Sequence, residues 1–183
     1  ASIFQTDNDG GTLSNASLAG WTVIDGRVIE SNGNNEYWAT ILYRIAIASD
    51  VSATNFTFTL DNDANDGNQG AIVAYRGVNT AGGVNEAGAA GGPFDVDPGV
   101  INSIANDNTL SATSITTVSN NAAIVMLGYV ADNDNLSAWT ATSPATLNEV
   151  YDLPFNTTLD IGMGLAWNTQ TTAGATGAGS ATI

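Results

Sequence analysis

The feature that most constrains this chain is its punctuation. Short runs of β-branched and aromatic residues, seldom longer than ten, are separated by clusters of Asn, Asp and Gly such as Ser31–Asn35, Asp61–Gly70 and Asn120-Asn121. β-branched and aromatic side chains fit a pleated surface, and Gly or Asn takes the positive φ that tight turns need. Asn55–Leu60 states the pattern most cleanly: Phe56, Phe58 and Leu60 alternate with Thr57 and Thr59, the period of a half-buried strand. Further strands are expected at Ser2–Thr6, Trp21–Ile29 (bending at Asp25-Gly26), Glu36–Ala48, Ala71–Arg76, Ser111–Val118, Ala122–Ala131, Thr146–Tyr151 and Thr157–Trp167. Ser180–Ile183 reads as a last strand. No segment keeps apolar residues at helical spacing over several turns, so the crossover helices of a parallel sheet are missing.

These runs predict an all-β fold, an antiparallel two-sheet β-sandwich of about nine or ten strands. The 183 residues fit one domain, 1–183. Asn79–Gly99, with Ala81-Gly82-Gly83 and Ala87-Gly88-Ala89-Ala90-Gly91-Gly92-Pro93, is too poor in large side chains to form core and reads as a long surface loop.

Charge narrows the function. Eighteen acidic side chains against three basic ones (Arg27, Arg44, Arg76) give a formal charge of -15, which repels nucleic acid and anionic membranes. The absence of His, Cys and Lys removes the commonest general base, thiolate chemistry, Schiff bases and a Walker-type phosphate loop. No run approaches the roughly 18 apolar residues of a membrane span. The first seven residues lack the basic start and apolar centre of a signal peptide, and the expectation for Ala1 is either loss of an initiator Met or proteolysis.

Several phrases, Gly20-Trp21-Thr22-Val23, Tyr43-Arg44-Ile45-Ala46, Phe56-Thr57-Phe58, Ala74-Tyr75-Arg76-Gly77-Val78, Pro93-Phe94-Asp95 and Gly174-Ala175-Thr176-Gly177, resemble in order and spacing the bacterial and phage concanavalin-A-like (lectin/glucanase-type) jelly-roll modules. The resemblance implies a jelly roll set in virion proteins, fibres or secreted adhesive proteins, and brings no catalytic residues. Such modules usually carry a strand-forming segment before the piece similar to Ala1–Gly20, which leaves two expectations: a neighbouring subunit fills an unpaired edge, or Ser2–Thr6 closes the sheet itself.

Two constellations carry candidate chemistry. Asp61, Asp63, Asn65 and Asp66 crowd hard oxygen ligands into one loop, as calcium requires. The loop departs from an EF-hand, with Asp66 where Gly belongs and no bidentate Glu, and the alternative is a solvated turn. Asp7–Gly11 and Asp132–Asn135 have similar composition. Among the four Trp residues, Trp139 lies between loop-like Asp132–Ser137 and Ser143-Pro144 and is the expected exposed platform for a sugar ring, the others filling core. Glu36 beside Tyr37-Trp38 is the most attractive glycosidase carboxylate, but no paired-carboxylate arrangement accompanies it.

The expectation is therefore a non-enzymatic structural or decorating subunit of an extracellular assembly, a phage capsid or fibre above all, with copies of itself or other subunits as partners. The alternative is a carbohydrate-binding adhesin module using Trp139 and calcium-linked loops. Neither nucleic acid nor membrane insertion is expected.

Overall fold

The computed structural model describes residues 1–61, 66–104, 107–156 and 160–183. Among them the chain forms β1 (Ser2–Asp7), β2 (Thr22–Asn32), β3 (Asn35–Tyr43), a five-residue helix α1 (Ala48–Ser52), β4 (Asn68–Ala71), β5 (Gly83–Val84), β6 (Ala90–Gly92), β7 (Thr109–Ala112), β8 (Ala122–Val130), β9 (Ser137–Thr140), β10 (Asn148–Phe155), β11 (Ile161–Gln170) and β12 (Gly179–Thr182). The strands form sheets of order β2-β3-β1-β4, β10-β11-β8, β7-β12-β9 and β5-β6, and every pairing is antiparallel. The all-β antiparallel expectation holds.

The period-two pattern decides which faces meet. On β1 and β3, Phe4, Tyr37 and Ala39 point one way and pack against Tyr129, Ile161 and Met163 of the β10-β11-β8 sheet. Ile3 and Leu42 point the other way, where Ala16, Trp21, Phe58 and Leu60 cover them. The β10-β11-β8 sheet is likewise covered twice: Ile124, Met126 and Ala166 meet Leu136, Trp139, Leu147 and Ala181 on its far side. This double cover explains why β11 is buried without a break from Ile161 to Ala166. Phe4 has no exposed surface, and full burial of such a ring contributes about 2 kcal/mol.

Local chemistry sets the turns. β2 and β3 form a hairpin closed at Asn32 and Asn35, with Gly33 at φ 66°, the left-handed residue that a two-residue hairpin loop demands. The bend expected at Asp25-Gly26 is a register shift between Val23 and Asp25.

One open alternative is met and three expectations change. β1 is an interior strand, paired with β3 and β4, and β12 is interior too, between β7 and β9. These pairings are those of the expectation in which Ser2–Thr6 takes its own place in the sheet. The Asn79–Gly99 stretch contains the β5–β6 hairpin, and Phe94 packs its ring 4.9 Å from Tyr43; one aromatic anchors a segment whose small residues cannot. Asn55–Leu60 keeps its alternation in burial but, among the described residues, is bridged only at Thr59 to Ser17. The long run from Glu36 stops pairing at Tyr43 and turns into α1, where Asp50 accepts from Arg44 Nε at 3.0 Å and from the Ile47 N–H at 2.8 Å.

Candidate functional site

The acidic segments converge at one end of the first sheet. Asp7 and Glu36 are register neighbours on β1 and β3. Asp7 Oδ1 accepts the N–H groups of Asp9, Gly10 and Gly11, each at 3.0 Å. Glu36 Oε1 accepts the Leu13 N–H at 3.0 Å, and Asp66 Oδ1 accepts the Asn8 N–H at 3.2 Å. Thr6 exchanges hydrogen bonds with Gly67, and Gln5, fully buried, donates Nε2 to the Ser14 carbonyl while its Oε1 accepts the Asp61 N–H. The structure therefore brings Asn8 of the 7–11 loop beside Asp66, and Gln5 beside Asp61, two of the four calcium candidates. Asp63 and Asn65 lie outside the described residues. Among the described residues no group of three or more acidic side chains is arranged to hold a metal ion.

The same device recurs across the molecule. Asp25 Oδ2 accepts the Ile101 N–H at 2.7 Å, Asp152 Oδ1 the Leu136 N–H at 3.1 Å, and Asp95 Oδ2 the N–H groups of Val118 and Ser119 at 2.6 and 3.2 Å. Burial pushes the Asp95 carboxyl up, but hydrogen bonds from the Ser119 side chain and the Val118 and Ser119 backbone outweigh it and hold the group below the usual carboxylate range. In a chain with almost no cations, carboxylates find their partners among loop N–H groups. Asp132 Oδ1 likewise accepts the next N–H, that of Asn133, as a turn residue does.

Trp139 corrects the expectation of an exposed sugar platform. It is 3% exposed, and its Nε1 donates to Glu149 Oε2 at 3.2 Å. Its ring lies on the β10-β11-β8 sheet where Gly128 and Gly164 leave room: a Cβ at Gly164 would sit 2.7 Å from Trp139 Cζ2. Trp21 packs on Phe56 and Phe58, and Trp167 on Tyr75. Trp38 is half-buried on the outer face, its Nε1 bonded to Asn15. Glu36 and Glu149, committed to Leu13 and Trp139, are held as structural acceptors.

A cluster of hydroxyls lies between the first and second sheets. Ser2 Oγ and Tyr151 OH are 2.7 Å apart. Burial pushes Tyr151 up to about 12 and holds Tyr129 well above the ordinary tyrosine value. Burial therefore favours the neutral form of both hydroxyls. Among the described residues, the Tyr75 hydroxyl is buried without a hydrogen-bond partner.

Two concavities lie among the described residues. A groove of about 300 Å³ runs along β4 under Phe56, Phe58 and Leu60. Another, of about 390 Å³, lies between Glu30–Asn32 and Leu110, Val130 and Ile183. Neither was anticipated from sequence, since each joins segments remote along the chain.

No family model, curated protein or solved structure matches this chain.

Proposed function

We propose that the chain is a non-enzymatic, contact-making subunit of an extracellular assembly, built as a jelly-roll-type sandwich, with a phage capsid or fibre as its setting. The observation that carries this reading is the employment of its carboxylates. Asp7, Asp25, Asp95, Asp152 and Glu36 each accept backbone N–H groups from other segments or loops, which stiffens loops rather than activating a nucleophile. The phrases behind the family resemblance also support the fold, because they meet in pairs: Trp21 lies 5.3 Å from Phe58, and Tyr43 lies 4.9 Å from Phe94. Partners are copies of the chain or other subunits of the assembly.

Mutual repulsion at a formal charge of -15 opposes self-contact at low salt and is screened as salt rises. Sedimentation velocity and electron microscopy across a salt series test the reading. Particles or filaments that grow with salt support it. A monomer throughout, with turnover of a substrate by the purified chain, would overturn it.

A further inference from the structure

β4 is an outer strand of the first sheet and, among the described residues, pairs only with β1. Its hydrogen-bond phase follows from one bond: the Thr6 N–H donates to the Gly67 carbonyl at 2.9 Å, which makes Thr6 and Gly67 a bonded pair. Bonded and non-bonded pairs alternate along an antiparallel ladder. Gln69 and Ala71, opposite Phe4 and Ser2, thus turn their backbone groups towards β1, while Asn68 and Gly70, opposite Gln5 and Ile3, turn theirs away. Asn68 and Gly70 also line the 300 Å³ groove, together with Ile3, Phe56, Phe58 and Leu60. Outward backbone groups beside apolar side chains are what an added strand uses: the ladder gives affinity and alternate side chains find pockets.

Charge selects the occupant. Asp61, tied to Gln5, directly follows the groove-lining Leu60, and Asp66 lies two residues before the groove-lining Asn68. The chain has no Lys, and two of its three Arg residues sit beside acids, Arg44 at 3.0 Å from Asp50 and Arg27 at 4.0 Å from Asp25. A second copy would bring another charge of -15 to this edge. We propose that β4 and its groove accept an extended, basic segment of another protein as a fifth strand of the first sheet. This gives the contact-making reading a partner and rests on it.

The probe is a short synthetic peptide of alternating valine and threonine flanked by lysines, with a glutamate-flanked twin, added to the full chain and followed by backbone amide NMR. The basic peptide slows exchange of the Asn68 and Gly70 amides and shifts Ile3 and Phe58, several-fold more weakly in high salt and in Asp61→Asn; the twin does not bind. Asn68→Pro removes an outward N–H while sparing the bonds to β1, so it loses the effect with an unchanged melting temperature. Should Asn68→Pro misfold, Asp61→Asn on the surface carries the test alone. Perturbation by neither peptide, or by both equally, overturns the inference, as does protection of the same amides by raising the concentration of the chain alone, which assigns the edge to a second copy. Failure here with salt-driven assembly intact sinks this inference and leaves the proposed function standing.

Discussion

Gly128 and Gly164 stand opposite each other across β8 and β11, and the indole of Trp139 lies over the pair. A Cβ at Gly164 would meet Trp139 Cζ2 at 2.7 Å, and one at Gly128 would meet Leu110 Cδ1 at 2.5 Å. The ring is wedged against buried neighbours, whereas the leucine methyl is the end of a flexible side chain. Gly164→Ala therefore destabilises by about 1–3 kcal/mol through overpacking, and Gly128→Ala by less. Urea unfolding of both variants checks the order.

Gln5 joins three segments. Its amide is fully buried and bonds the Ser14 carbonyl at 2.9 Å and the Asp61 N–H at 3.0 Å. Gln5→Leu keeps the volume but strands both backbone groups, a loss of about 1–3 kcal/mol for each one left buried and unsatisfied. Gln5→Leu lowers the melting temperature and speeds amide exchange at Asp61, read by thermal melts and hydrogen exchange.

These two sites also show what the sequence makes legible. Alternation in Asn55–Leu60, Asn-Gly clusters and the absence of helical spacing suffice for an all-β antiparallel chain, because each depends on neighbours along the chain. Trp139 was misread because its flanks look like loop, while the surface that buries it comes from β8 and β11. The signal was present in Gly162-Met163-Gly164: glycine inside a strand marks close approach by another group. Gln5 sits in a strand that reads only as short, and nothing local marks its two loop partners. Twelve strands among the described residues, against about nine or ten expected, reflect the β5–β6 hairpin and short pairings such as β9, which alternation over so few residues does not register.

Asp95 gives an acid-limb prediction. Its carboxyl lies below its ordinary value of 3.8 in the folded chain, so the unfolded chain takes up the proton first as pH falls. The stability it contributes is present in full above that value and is lost as pH drops through the folded pKa. Asp95→Asn removes that part of the acid dependence and leaves stability at pH 3 less changed than at pH 6. Thermal melts at the two pH values check it.

At neutral pH the amino terminus dominates. In a chain that begins at Ala1, burial lowers the amine from 8.0 to about 6, and the group donates to the Leu42 carbonyl at 2.7 Å. Between these values the unfolded chain holds more protons than the folded one, so stability rises with pH by about 2 kcal/mol from pH 6 to pH 8. With no His and no Cys in the sequence, no side chain ordinarily titrating in this window obscures the slope. An acetylated amino terminus should flatten it.

The central claim is that sheets covered on both faces hold the interior rigid and leave edges and pinned loops for contact. Native-state hydrogen exchange tests it most directly. The account predicts the slowest amides at Phe4–Thr6 and Met163–Ala166, with the outward amides of Asn68 and Gly70 exchanging quickly in the free chain. Exchange at Phe4–Thr6 as fast as at Gly70 would contradict it.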